Sequence, residues 1–67
     1  MEKYFKCKVG DLVSVDYMGG TALFKWLGIC NWTDGYKYSF LTTDIGEITW
    51  TKHDLYVVGA EVINESR

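Results

Sequence analysis

His53 is followed by Asp54, and a carboxylate beside an imidazole can orient it for general-base work. Such a base needs a nucleophile, and the two thiols of the chain, Cys7 and Cys30, share no local motif with it. The only histidine of the chain, set in a short turn beside an aspartate, reads instead as structural or solvent-facing. The cysteines lack zinc-site spacing and are expected to be free thiols; whether they can pair is a question of geometry. Gly19-Gly20 has neither the lysine nor the following helix of a phosphate loop. Asp16, Asp34, Asp44, Glu47 and Asp54 fall at turns and strand ends without calcium-loop spacing. These residues predict no enzyme, no bound metal and no cofactor.

The aromatic residues carry the remaining functional signal. Three Trp, five Tyr and three Phe in 67 residues are more large rings than so small a core can enclose. Trp26, Trp32, Tyr36 and Trp50 are the candidate binding surface, with Lys52 beside them. Trp32 and Tyr36 flank the Asp34-Gly35 turn, and exposed rings of this kind offer the rigid contact area that dominates binding energy. The alternative for each ring is that it shields one end of the core.

Three uses of such a surface follow. The first is a non-catalytic protein-interaction or structural-assembly module, docking on another protein or on copies of itself. The second is a nucleic-acid-binding module, in which the rings stack bases while Lys25, Lys37 and Lys52 meet phosphates. The third is an aromatic cage around a methylated or cationic side chain. Seven Lys plus Arg against nine Asp plus Glu leave a net charge of -2, which gives no long-range attraction to phosphate backbones and places nucleic acid second. Lys3, Lys6 and Lys8 cluster near the start, but Glu2 and Asp11 flank them, so they read as a solvated segment. The chain has no long apolar run of the kind that crosses a membrane, and Met1 to Lys6 lack the apolar stretch of a signal peptide, so a cytoplasmic chain is expected. No small-molecule substrate is indicated.

The elements that must position these residues are short strands. Val13, Val15 and Tyr17 alternate with Ser14 and Asp16, the period of a half-buried strand, and Gly19-Gly20 ends it. A second strand runs from Phe24 to Trp32, with Leu27 and Ile29 expected inward and Trp26 and Trp32 on the other face. Asp34-Gly35 is a tight hairpin turn. Tyr36 to Leu41 form the third strand, with Tyr36, Tyr38 and Phe40 on one face, and Glu47 to Trp50 form a fourth. Thr51 caps a single turn through Lys52 to Leu55, expected as 3₁₀, with Leu55 dropping into the core. Tyr56-Val57-Val58 then resumes as the last strand, and Gly59 to Arg67 is a final edge segment through Val62 and Ile63 or a loosely held end.

Val9-Gly10-Asp11-Leu12-Val13, Leu27-Gly28-Ile29, Tyr38-Ser39-Phe40, Ile48-Thr49-Trp50 and His53-Asp54-Leu55-Tyr56-Val57-Val58 follow the order of landmarks in small SH3-like barrels, which this chain resembles over about residues 9 to 58. The resemblance implies one all-β domain spanning residues 1–67: a small SH3-like barrel of five short antiparallel strands with a 3₁₀ turn before the last. Stand-alone proteins of this pattern are often bacteriophage-encoded, which implies a viral protein acting in the host cytoplasm or the virion on a viral or host partner.

Overall fold

Strand β1 (Leu12–Gly19) forms where the alternation demands it: Val13 and Val15 are buried, Tyr17 is half-buried, and Asp16 and Met18 face solvent. The computed structural model describes residues 5–64 of the chain, so Glu2 and Lys3 of the basic cluster and the end of the tail lie outside it. The other strands are β2 (Ala22–Thr33), β3 (Lys37–Thr42), β4 (Glu47–Thr51) and β5 (Glu61–Asn64), with helix α1 (Lys52–Val57) before the last. They form a single antiparallel sheet in the order β4-β3-β2-β1-β5.

That order corrects the expected barrel. Five antiparallel strands are present, but β4 and β5 stand at opposite edges and do not pair, so the sheet is open. The reason lies after Thr51. Its hydroxyl accepts the Asp54 N–H at 3.1 Å, as the capping pattern predicts, but the turn runs on for six residues as an α-helix rather than stopping as 3₁₀. Gly59 closes it at φ +71°, where the Gly59 N–H reaches the Tyr56 carbonyl and the Ala60 N–H reaches that of Leu55, the paired bonds of a Schellman end. Tyr56 and Val57 are therefore helical and Val58 is the cap, not a strand. The strand that follows has four residues and joins β1 through Ser14, Val13 and, past a register shift, Leu12. Leu55 does enter the core, fully buried.

The core occupies one face of the sheet and contains Phe5, Val13, Val15, Trp26, Cys30, Tyr38, Phe40 and Leu55. Phe5 extends it beyond the expected span of residues 9 to 58. The β2 facing is also corrected. Val15 pairs with Trp26 and Val13 with Gly28, and directly paired residues share a face, so burial of the two valines carries Trp26 inward and turns Leu27 and Ile29 out. Trp26 is 4% exposed, whereas Ile29 is 49% exposed. A register shift between Cys30 and Trp32 then rotates Trp32 to the outer face, opposite Ser39, so the two tryptophans separate. Gly28 allows this close packing: a Cβ there would lie 3.0 Å from the Leu41 carbonyl oxygen and 3.3 Å from the Cβ of Phe40.

The β2–β3 turn has three residues between the strands, not two. Asp34 carries no positive φ; its carboxylate accepts the N–H groups of Tyr36 and Lys37 at 2.9 and 2.8 Å, while Gly35 alone takes φ +94°. Gly35→Val meets no neighbour but strains the backbone, and is expected to cost about 1–3 kcal/mol in urea denaturation. An unchanged midpoint would contradict this turn.

Two exposed carboxylates tie the sheet together. Asp34 is held below its ordinary 3.8 chiefly by the Lys37 N–H, and Glu47 below its ordinary 4.5 chiefly by the Asn31 side chain, then by Ser39. Glu47 accepts from Asn31 Nδ2 at 3.0 Å and from Ser39 Oγ at 3.1 Å, bridging three strands. A lowered folded-state pKa stabilises the fold fully above the ordinary value, and that contribution is lost as pH falls from the ordinary value through the lowered one. The urea midpoint is therefore expected to decline below about pH 5, with a modest slope because both groups are solvated. Asp34→Asn combined with Glu47→Gln should flatten that decline; an identical slope in the double variant would show that other groups set it.

Candidate binding groove at an open sheet edge

Rings on the inner face run in a connected series. Trp26 packs on Phe40 at 5.1 Å between centroids and meets Trp50 edge-on at 5.7 Å. Trp50 meets Phe24 edge-on at 5.5 Å, and Phe24 stacks on Tyr17 at 6.1 Å. The sheet is thus bent enough for the start of β2 to touch β4 without closing. Beyond that contact Phe24, Thr49, Trp50, His53, Asp54 and Val57 line a groove of about 510 Å³. Its walls are mainly apolar, from Phe24, Trp50, Val57 and Val58, with His53 and Asp54 at the side formed by α1.

The groove adjoins an unpaired backbone edge. In an antiparallel ladder, residues alternate between those that exchange hydrogen bonds with the partner strand and those whose groups point away. The Lys52 N–H reaches the Tyr36 carbonyl at 2.8 Å and the Thr42 N–H reaches that of Gly46 at 2.9 Å. With Tyr38 opposite Trp50 and Phe40 opposite Ile48, these bonds place Ile48 and Trp50 in the bonded phase. The N–H and C=O groups of Glu47 and Thr49 therefore point away from β3, and among the described residues no strand lies beyond them.

The five residues expected to form one surface are divided among several. Trp26 is sealed in the core, and its indole Nε1 is buried without a hydrogen-bond partner. Trp50 is half-buried and lines the groove. Trp32 is exposed on the outer face, and Tyr36 is exposed in the turn. Lys52, the first residue of α1, lines a second groove of about 280 Å³ with Phe5, Lys6, Cys7, Thr33 and Tyr38. A cage made from Trp26, Trp32 and Trp50 does not assemble, because one ring is enclosed and another lies across the sheet. Lys25 and Lys37 alternate with the buried Trp26 and Tyr38, which places both on the outer face, away from the ring-lined groove.

Phe24, Thr49 and Val57 were missed as site residues. The alternation of Phe24 with Trp26 was a usable signal for the first. Thr49 and Val57 become neighbours only through the helix that replaces the expected last strand. His53 and Asp54 share the groove with Thr49, but neither cysteine lines it. Among the described residues no group of three or more His, Cys, Asp or Glu gathers to hold a metal, and no helix is long and apolar enough to cross a membrane.

No family model, curated protein or solved structure matches the chain. The resemblance to small SH3-like barrels is thereby corrected twice: the sheet is open, and no match ties the chain to that family. The bacteriophage source, with the viral and host-cytoplasm setting drawn from it, likewise has no match behind it.

Proposed function

We propose that this domain is a non-catalytic protein-interaction module that takes an extended segment of a partner protein along β4. The observation that carries the reading is the adjacency of two features: the outward N–H and C=O groups of Glu47 and Thr49, and the apolar groove beside them. A strand added to a sheet edge gains main-chain hydrogen bonds, and pockets for its alternate side chains supply selectivity. Here every second side chain of the incoming segment would fall on the Trp50 side, where Phe24, Trp50 and Val57 accept an apolar group. The unpaired backbone selects an extended peptide over a nucleic acid, and Lys25 and Lys37 lie on the opposite face.

The reading is tested with peptides selected against the domain from a random decapeptide library. Val57→Asp places a charge on an exposed wall of the groove and should weaken the selected peptides about tenfold, near 1.4 kcal/mol. Leu41→Ala, on the outer face, should leave their affinity unchanged. Equal affinity for wild type and Val57→Asp would overturn the reading.

A further inference from the structure

The outer face of the sheet carries an apolar patch where the solvated face of an antiparallel sheet is expected to be polar. Directly paired residues share a face, so Leu12, Ile29 and Leu41, paired in turn across β1, β2 and β3, form a row there. Leu12 is half-buried, and Ile29 and Leu41 are exposed. On β2, the exposed Leu27 and Trp32 extend the patch along the strand to either side of Ile29. None of these five side chains lines the groove beside β4. Isolated exposed apolar residues are ordinary, but a contiguous patch at the centre of a face marks a contact.

Charged groups keep to the margin of the patch. Asp16 and Lys25 pair beyond Leu27, Glu61 stands opposite Ser14, Glu47 opposite Leu41, and Lys37 opposite Thr51. An apolar centre with a polar rim is the anatomy of a protein interface. The rim mixes both signs of charge, so it does not repel a copy of itself. The row is also symmetric about its centre, with a leucine on either side of Ile29. A two-fold axis at Ile29 lays the row of one copy on the row of another, as a self-complementary contact requires. Five strands about 4.8 Å apart and about 20 Å in length make a face of roughly 500 Å². Two such faces bury up to about 1,000 Å², the size of a weak, reversible interface. The bend of the sheet toward its inner face centres that contact on the row.

We propose that the outer face is covered by a second copy of this chain, packed sheet against sheet across a two-fold axis at Ile29. The apolar patches of the two copies interdigitate, and the charged residues around them stay wet at the rim. Both β4 edges remain free in this dimer, so the inference does not rest on peptide binding there. An interface of this size dissociates on dilution, so unfolding measured at low micromolar concentration reads the single copy.

The test is sedimentation velocity on the full chain from about 5 µM to about 1 mM, the range in which a weak dimer forms. The average mass of wild type should rise from one chain toward two and stop there. Ile29→Lys should weaken dimerisation by at least about tenfold, because the axis brings the two new ammonium groups together. Leu41→Lys, which places an unpaired charge within the same contact, should do likewise and keeps the test decisive if the first variant folds poorly. A wild-type mass that stays at one chain up to about 1 mM would overturn the proposal and leave the face to another protein. Dimers undiminished in both variants would place the contact elsewhere, and a mass that grows past two chains would exclude the two-fold; either overturns it.

Discussion

Phe40→Ala is expected to remove about 3–5 kcal/mol of stability, enough to leave little or no cooperative unfolding transition. Phe40 is fully buried in β3, packed on Trp26 and stacked on Tyr38 at 6.5 Å between centroids. A domain of 67 residues has a total margin of roughly 3–10 kcal/mol, so one emptied ring site consumes much of it. Leu41→Ala is the matched control. Leu41 is the next residue, but it points to the outer face and is 53% exposed, so its loss should change stability by no more than about 0.5 kcal/mol. Urea denaturation of both variants reads the facing of β3 directly: similar losses would mean that the sheet has no single buried face.

Thr49→Pro should weaken binding of a selected peptide by at least about tenfold while leaving the fold intact. Proline lacks an N–H, and within a sheet it is tolerated where that group points away from the neighbouring strand. Thr49 stands in the non-bonded phase of the β3–β4 ladder, so the substitution removes no internal bond. It takes away a donor that an added strand needs and places a ring in its path. Trp50→Pro, one residue on, would break a bond to Tyr38 and is expected to destabilise the domain itself. Calorimetric titration of Thr49→Pro with an undiminished affinity would place the peptide elsewhere.

Much of the strand content was legible because it rests on local alternation. Val13, Val15 and Tyr17 announce β1, Tyr38 and Phe40 announce β3, and Gly35 marks the turn between β2 and β3. The facing of β2 was not legible from β2 alone, since both of its faces carry large apolar groups: Trp26 and Cys30 on one, Leu27 and Ile29 on the other. Only the register against β1 decides between them, and register is a non-local property. The open edge was hidden for a related reason. Tyr56-Val57-Val58 has strand-like composition, but the Thr51 cap and Gly59 enclose it in a helix. Gly59 was the available signal for that ending. The groove followed from the same error, because it exists only where α1 stands beside β4.

The most direct test of the account is residue-resolved amide hydrogen exchange at β4, in the free protein and with a selected peptide. The open, peptide-accepting edge predicts slow exchange at Ile48 and Trp50 and fast exchange at Glu47 and Thr49 in the free protein, with the latter two slowing when peptide is added. Protection of Glu47 and Thr49 without peptide would mean that the edge is already paired. Unchanged exchange there when peptide binds would mean that the partner does not add to β4.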